Sequence, residues 1–512
     1  MATEKILGSS SSMALFRSLL SNKLVRRGVI KKINQKLYHQ LVEENADNRP
    51  LRTQEAKHDL MMCLLHAVDR ALDRGHLSNS VLNRILDVFV KNVIVTRFSN
   101  VEESREEFGI EPPLFVVISP TGKCNLRCTG CYAASDPKCQ VNLDFNTMDR
   151  IMSEKAEMWN SHFTVISGGE PFLWEDQGYD ILDMAERHPS DFFMIYTNAT
   201  LIDEQKARRM GELGNVSPAI SVEGFEEATD ARRGKGVYRK IMNAMELLRK
   251  YGVPFGISAT PTKENWQTIT SDEFVDFYFD GQGAFYCWLF QYMPMGRGRS
   301  VDLMPSPEER LEMYERTQRL QHEKRAFLAD FWNNGVYSSG CISGGRRGGY
   351  FYIDWNGDIT PCVFVPYAVD NIYDIYNRGD DINAALDNSL FKRIRQWQDS
   401  HGYAQYPDDI HNWMAPCPIR DHYRFMRKAL KETGAKPITE DAEKALHDDD
   451  YYERMKEYGD KIHNISRPVW ARDYALTQAE TDKALSIKMQ KKGEKEHVTV
   501  KDNAAEEEKG KT

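Results

Sequence analysis

Residues 124–132 read Cys-Asn-Leu-Arg-Cys-Thr-Gly-Cys-Tyr, which places three cysteines at C-x3-C-x2-C spacing directly after an apolar run at residues 114–119. A loop this short can bring three thiolates to one face of an iron–sulfur cluster, for which a full protein ligand set is four cysteines. Three cysteines leave one iron open to a substrate or a cofactor. Lys123 and Arg127 beside the loop can offset part of the cluster's negative charge.

The alternatives for this loop are a zinc knuckle or three thiols without a metal. Zinc sites usually contain paired C-x2-C units or a pair of histidines, and residues 124–132 contain no histidine. The spacing favours the iron–sulfur cluster, and the motifs that follow strengthen this interpretation.

Two further motifs follow in chain order: Gly168-Gly169-Glu170-Pro171 and Thr197-Asn198-Ala199-Thr200. With the cysteine loop and the aromatic Tyr132 after its last cysteine, they resemble the radical S-adenosylmethionine (radical SAM) superfamily over roughly residues 113–299. The resemblance implies a 4Fe–4S cluster on Cys124, Cys128 and Cys131, whose open iron binds the amino and carboxylate groups of S-adenosylmethionine.

Apolar strand-like runs alternate with helical periodicity from residue 114 onwards. The runs lie at residues 114–119, 163–167, 192–197, 219–222, 255–260 and 285–293, and the helices at 147–159, 179–188, 203–213, 238–251 and 272–279. Strand–helix alternation predicts parallel strands joined by right-handed crossovers. Six such units are fewer than the eight of a closed barrel. The resemblance implies an α/β fold with a partial, open (β/α)6 barrel.

The candidate site residues fall where the predicted strands end, which is where barrels of this kind place their chemistry. As cofactor-binding residues the sequence offers Tyr132, Gly168, Gly169, Glu170, Pro171, Thr197, Asn198, Ser221, Glu223, Arg232 and Arg233. Glycines let the backbone approach a ligand closely. The family resemblance assigns residues 168–171 to the methionine amino group, and the polar residues that follow suit a ribose or a carboxylate.

Several of these roles have alternatives. Glu170 can act through its carboxylate or only by fixing the turn. Arg232 or Arg233 can pair with the cofactor carboxylate as a bidentate fork, or form a surface ion pair with Asp230 or Glu226. We regard Arg297 and Arg299 as weaker candidates, because a glycine–arginine turn is often a solvated loop.

A second set of cysteines lies further along the chain. Cys341 is followed by fifteen residues, Gly357, four residues and Cys362, and Cys417 comes much later. The segment between the first two reads as a β-hairpin with an Asn-Gly turn. The spacing resembles the opening of the SPASM or twitch auxiliary-cluster domain, but a full SPASM domain has more cysteines and two extra clusters. We therefore expect one auxiliary cluster on Cys341, Cys362 and Cys417, with Asp421 or His422 as guesses for a fourth ligand. Structural thiols or a zinc site are the alternative.

The domain organisation follows from these patterns. We predict a helical N-terminal domain (1–112), the radical SAM core (113–300), a linking helix (301–335), the auxiliary-cluster domain with its β-hairpin and helices (336–430), C-terminal helices (431–490) and a disordered charged tail (491–512). Within the first 40 residues eight basic residues face a single acid, a net charge of +7. This start reads as an ordinary packing helix, or as a basic amphipathic helix that contacts an anionic membrane through residues 1–45.

Composition narrows the functional classes. A formal net charge of −9 gives no case for nucleic-acid binding. The sequence has no apolar run long enough to span a bilayer, and its nine cysteines do not resemble a secreted disulfide framework. We expect a cytoplasmic, oxygen-sensitive oxidoreductase that works under anaerobic conditions.

The sequence supports three functional hypotheses. The first is a radical SAM enzyme that modifies a peptide or protein, by analogy with auxiliary-cluster relatives; a small-molecule substrate remains open. Its electron would come from an external donor such as a flavodoxin or a ferredoxin. The second is radical chemistry on a lipid or isoprenoid at a membrane surface, motivated by the basic N-terminus. The third is a metal-stabilised scaffold without catalysis, against which residues 168–171 and 197–198 argue.

Overall fold

A computed structural model of the chain describes residues 22–85, 88, 112–403 and 410–475. The predictions for residues 1–21, for a helix at 477–488 and for a disordered tail at 491–512 lie outside this part of the chain. Among the described residues, no helix combines the length and the apolar composition needed to cross a bilayer.

In the described residues before the barrel there are three helices: α1 (Lys23–Tyr38), which a π-helical turn (His39–Glu44) extends, α2 (Leu51–Asp73) and α3 (Asn79–Arg84). The Ser78 hydroxyl accepts the Val81 N–H and caps α3. Arg26 of α1 is buried and its guanidinium binds Asp69 and Asp73 of α2. This ion pair joins the first two helices side by side.

Within residues 112–403 and 410–475, fourteen strands follow in three sheets. They are β1 (Phe115–Ile118), β2 (Phe163–Ile166), β3 (Glu175–Asp176), β4 (Tyr179–Asp180), β5 (Phe192–Thr197), β6 (Val216–Val222), β7 (Gly256–Ala259), β8 (Cys287–Leu289), β9 (Leu328–Asp330), β10 (Tyr350–Ile353), β11 (Asp358–Thr360), β12 (Tyr367–Ala368), β13 (Asp370–Asn371) and β14 (Lys436–Pro437). The main sheet has the order β13-β11-β10-β1-β2-β5-β6-β7-β8-β9, and β3–β4 and β12–β14 form two small ribbons.

The predicted partial barrel is confirmed. Its six strands, β1, β2, β5, β6, β7 and β8, are adjacent and parallel. The helices that pack outside them are α4 (Phe145–Trp159), α5 (Ile181–Arg187), α6 (Glu204–Leu213), α7 (Glu226–Arg233), α8 (Val237–Lys250), α9 (Trp266–Ile269) and α10 (Asp272–Val275), which a π-helical turn (Asp276–Gly281) continues. Fully buried side chains such as Met148, Ile220 and Ile241 fill the layer between sheet and helices.

The segment predicted as one linking helix differs from that expectation. Helix α11 (Pro307–Lys324) ends where Arg325 adopts a left-handed conformation with φ of 50°, and β9 then adds to the edge of the sheet beside β8. The charged pattern up to Lys324 fits a helix, whereas Leu328 and Ala329 are buried in the sheet.

The C-terminal region also joins the same sheet. Strands β10 and β11 form the predicted hairpin, with Gly357 at φ of 83° in the turn, and β10 pairs parallel with β1 from Phe115↔Tyr350 to Ile118↔Ile353. The remaining helices are α12 (Gly335–Ser338), α13 (Ile372–Asn377), α14 (Asn383–Leu386), α15 (Ser389–Ser400), α16 (Tyr423–Thr433), α17 (Glu440–Leu446) and α18 (Asp449–Asp473). The hairpin between Cys341 and Cys362 is therefore hydrogen-bonded to the strand that leads into Cys124.

Candidate active site

The cysteine loop after β1 is held in place by two arginines. Arg297 donates from its side chain to the carbonyls of Cys128 (3.2 Å), Ala134 (3.1 Å) and Ser135, and from its backbone N–H to Cys131 O (2.9 Å). Arg232 donates to Thr129 O (3.0 Å) and Gly130 O (3.4 Å). The guanidinium groups bind the carbonyls and so leave the three thiols free of these contacts.

The Gly168–Pro171 segment lies against the chain that leads into this loop. Gly169 donates its N–H to Thr121 O (2.9 Å) and Glu170 donates to Lys123 O (2.8 Å). A Cβ on Gly169 would stand 2.1 Å from Lys123 O, so any side chain there would push the loop away. Gly168 has a φ of 113°, which side-chain-bearing residues rarely adopt.

Glu170 connects the ends of two strands. Its side chain is fully buried; Oε1 accepts from Thr197 Oγ1 (2.7 Å) and Phe172 N (3.3 Å), and Oε2 accepts from Asn198 N (2.8 Å). Both carboxylate oxygens therefore bind protein groups, which favours the turn-fixing role over a direct contact with the cofactor.

The Thr197-Asn198 segment continues this network towards the cysteines. Asn198 Nδ2 donates to Asn125 Oδ1 (2.8 Å) and lies 3.9 Å from Cys124 Sγ, and Asn198 Oδ1 accepts from Thr200. Asn125 Nδ2 donates in turn to Thr200 Oγ1 (2.8 Å). These polar groups have protein partners and hold the strand ends in register with the loop.

Arg232 and Arg233 share one partner, Glu223 at the end of β6. Both donate to Glu223 Oε1, from Arg232 Nη1 at 2.6 Å and from Arg233 Nε at 2.9 Å. Asp230, the expected surface partner, instead accepts the backbone N–H groups of Gly236 and Tyr238. Glu223 Oε2 is buried and has no hydrogen-bond partner. Ser221, on the same strand, is half-buried.

The donor set around the loop fits an iron–sulfur cluster. All nine cysteines of the chain lie in the described part and none forms a disulfide. The pKa of the Cys124 thiol is raised to about 12, mainly by burial and to a smaller extent by the negative charges of Glu170, Cys128 and Cys131. No group of three or more histidine, cysteine or acidic side chains among the described residues is arranged to hold a single metal ion. The unpartnered Glu223 oxygen provides a buried acceptor for a cofactor group.

A cavity of about 400 Å³ occupies the inside of the barrel below these residues. Its wall is almost entirely apolar and rich in rings: Phe115, Tyr132, Phe163, Phe192, Tyr196, Phe285, Tyr286, Trp288, Phe290, Phe327, Phe331, Tyr350 and Phe364. Tyr132, the predicted cofactor neighbour, stacks edge-on against Phe364 with centroids 5.8 Å apart. Burial raises the pKa of the Tyr132 hydroxyl to about 12.

The second cysteine set also comes together. The pKa of the Cys417 thiol is raised well above its ordinary value, first by burial and then by the negative charges of Asp421, Cys341 and Cys362. The guessed fourth ligands are engaged elsewhere: Asp421 pairs with buried Arg310 (2.5 Å), and His422 Nε2 contacts Ala415 O (2.9 Å). The Tyr350 hydroxyl lies 2.9 Å from Cys362 Sγ.

Sequence reasoning missed or underrated several residues that shape the site. Asn125 was passed over although it lies inside the cysteine loop, and Arg297 was considered weak. Arg299, its neighbour, binds Asp441 and Asp448 of the C-terminal helices instead of the loop. The contact between Arg297 and the cysteine loop cannot be predicted from their separation in the sequence. Arg297 reaches the loop only because β8, which precedes it, lies in the same sheet as β1.

Comparisons with known proteins agree with this geometry. Residues 118–274 match the family model described as Radical SAM superfamily. An uncharacterised protein of Methanocaldococcus jannaschii is 30% identical over 32% of this chain and 57% of its own length. An AdoMet-dependent heme synthase of Methanosarcina barkeri and the mycofactocin maturase MftC of Mycolicibacterium smegmatis are each 26% identical over 57% of this chain, and over 87% and 75% of their own lengths. The chain thus spans a little over half of the first relative and most of the other two.

We expect Arg297→Ala to weaken the cysteine loop, because three carbonyls lose a charged donor, each such bond being worth roughly 1.5–3 kcal/mol. Iron retained after anaerobic reconstitution and gel filtration should fall by about two to four atoms per chain, four being the content of one cube. Arg299→Ala is the matched control and should retain the wild-type iron content. Equal iron in both variants would contradict the anchoring role.

We also expect a pH signature from Glu170, whose pKa is raised by burial from its ordinary 4.5 to about 7. Between these values the folded chain keeps a proton that the unfolded chain releases, so the stability contributed by Glu170 falls as pH rises through this window. In urea unfolding, the difference in stability between wild type and Glu170→Gln should favour wild type more at pH 5 than at pH 7.5. The exposed Glu264→Gln serves as control, and a difference that does not change with pH would refute the assignment.

Proposed function

We propose that this chain, a radical SAM iron–sulfur enzyme whose family match spans residues 118–274, abstracts hydrogen from an unactivated carbon held in the barrel lumen. The observation that carries the proposal is the placement of the cysteine loop, Gly168–Pro171, Thr197-Asn198 and Glu223 at one edge of the sheet, directly above that lumen. Ligand sites of barrels gather at this edge.

The cofactors would supply the chemistry. Held by Cys124, Cys128 and Cys131, the cluster would supply, together with S-adenosylmethionine, one-electron radical chemistry able to remove a hydrogen atom from an unactivated carbon. We assign the electron to an external donor such as a flavodoxin or ferredoxin.

The protein's own residues hold and orient these groups. We assign Cys124, Cys128 and Cys131 as cluster ligands. Arg232 and Arg297 fix their loop, and Gly168–Pro171 lies where the methionine end of the cofactor would meet the backbone. The free Glu223 oxygen is an acceptor for the cofactor, and the apolar lumen excludes water that would quench a radical.

Two substrate classes remain as candidates. A peptide or protein is supported by analogy with the mycofactocin maturase and by the converging Cys341, Cys362 and Cys417, which we propose as ligands of one auxiliary cluster. A lipid or isoprenoid is favoured by a specific observation, the apolar lining of the lumen. Both classes require that the reacting carbon belong to an apolar group.

Reductive cleavage provides the first test. We expect wild type, reconstituted and reduced, to form 5′-deoxyadenosine, and Cys128→Ala to form at least 100-fold less, because the cluster loses a ligand. Cys287→Ala is the matched control, since Cys287 is a buried strand residue. No 5′-deoxyadenosine from wild type would return the chain to the scaffold hypothesis.

Iron content tests the auxiliary cluster. We expect about eight irons per chain in wild type and about four in the Cys341/Cys362/Cys417→Ala triple variant, because each cube holds four. About four irons in both proteins would mean a single cluster, with the C-terminal region acting only as a lid or docking surface.

A further inference from the structure

We infer that the lumen binds a long hydrocarbon chain, and that this chain belongs to a lipid taken from an anionic membrane surface. The inference rests on the proposed function, because it names the substrate class of the same site. Three observations carry it: the chemistry of the wall, the length of the cavity and the charge of the helices that close one end.

The wall offers almost nothing to a peptide backbone. Each peptide unit brings a donor and an acceptor that need partners when buried. The Ser217 hydroxyl donates to Pro254 O (3.0 Å), and the Ser167 hydroxyl lies 3.1 Å from that of Ser119. Among the wall residues, only the Trp288 indole N–H is a buried donor without a partner. A hydrocarbon chain needs no such partners.

The cavity extends along the strands of the barrel. Phe192, Met194 and Tyr196 are successive inward positions of β5, and all three line it. Four residues of rise correspond to roughly 13 Å. Leu114, before β1, lines one end and Ser167, after β2, lines the other. An extended chain matches this shape.

The end of the barrel below β1 is covered by α2, on which the cation-rich helix α1 packs. Leu64 and Val68 of α2 contribute to the wall, and α1 packs on α2. Helix α1 contains no acidic residue, and its exposed cations Arg27, Lys31, Lys32 and Lys36 form no ion pair with a described residue. Leu24, on the same helix, is 78% exposed. Exposed cations beside an exposed leucine favour contact with anionic lipid headgroups, which places the lipid source next to the lumen.

Binding of the chain is tested with cis-parinaric acid, a fluorescent fatty acid, titrated into the full-length reconstituted protein without oxygen. We expect saturable binding at one per chain, at least tenfold weaker in Val165→Trp, which fills the lumen. Val141→Trp is the matched control, because Val141 is 45% exposed and does not line the cavity. Competing fatty acids of eight to fourteen carbons should bind about fourfold tighter per methylene until the lumen is full.

Two results would contradict the inference that the lumen binds a hydrocarbon chain. They are affinities that do not change with chain length, and equal affinity in Val165→Trp and wild type. If Val165→Trp does not fold, the inference is tested instead by extracting purified wild type with organic solvent and analysing the extract by mass spectrometry. A molar equivalent of a long-chain lipid in its mass spectrum supports the inference, and its absence together with a flat length series refutes it. Saturable competition by an unmodified apolar peptide would assign the lumen to peptide instead.

The membrane source is tested by vesicle sedimentation. We expect wild type to bind phosphatidylglycerol vesicles at least tenfold better than phosphatidylcholine vesicles, and the Arg27/Lys31/Lys32/Lys36→Gln variant to lose this preference. An unchanged preference would contradict the role of α1. Formation of 5′-deoxyadenosine by wild type is measured in parallel. It distinguishes failure of the proposed radical chemistry from failure of the lipid inference. Chain binding without this product refutes the proposed chemistry, and the product without chain binding refutes the lipid inference.

Discussion

The buried carboxylate of Glu170 is the interaction on which the geometry of the site depends. It lies at the end of β2, yet both of its oxygens are bound by groups from neighbouring segments, above all by Thr197 and Asn198 at the end of β5. Asn198 passes the connection on to Asn125 inside the cysteine loop. Burying this group without its partners would be costly, so the three segments must come together in one arrangement. A cofactor that touches only backbone and thiols at this edge can still be positioned by side chains behind it.

Local features of this fold could be predicted from the sequence, whereas contacts between distant segments could not. The strands of the barrel and the cysteine loop are encoded over a few residues, by apolar runs and by ligand spacing. Arg232 and Arg233 pair with Glu223 because Glu223 lies at the end of β6. This pairing cannot be predicted from the order of the residues in the sequence. The same holds for β9, whose three residues are too few to distinguish a strand from the end of a helix by periodicity.

The lumen escaped prediction for a different reason. Parallel strands are buried on both faces, so their sequences read as continuous apolar runs in which inward and outward residues look alike. In β5, Phe193 and Ile195 face the helices while Phe192, Met194 and Tyr196 face the cavity. Only the register of the sheet separates these two sets. The aromatic residues of the wall therefore occupy every second position of a strand. They can be identified only when the structure shows which positions face the cavity.

The pairing of β10 with β1 has a consequence for how the chain is made. Strand β1 begins at Phe115, but its second neighbour begins at Tyr350, so more than 200 residues must be synthesised before β1 is paired on both sides. Until then β1 is an open edge that can pair with other chains. Contacts so distant in sequence also form slowly. The strand that leads into Cys124 thus acquires its final environment only after the auxiliary hairpin has left the ribosome. A stable arrangement of the cysteine loop is accordingly a late event in the life of the nascent chain.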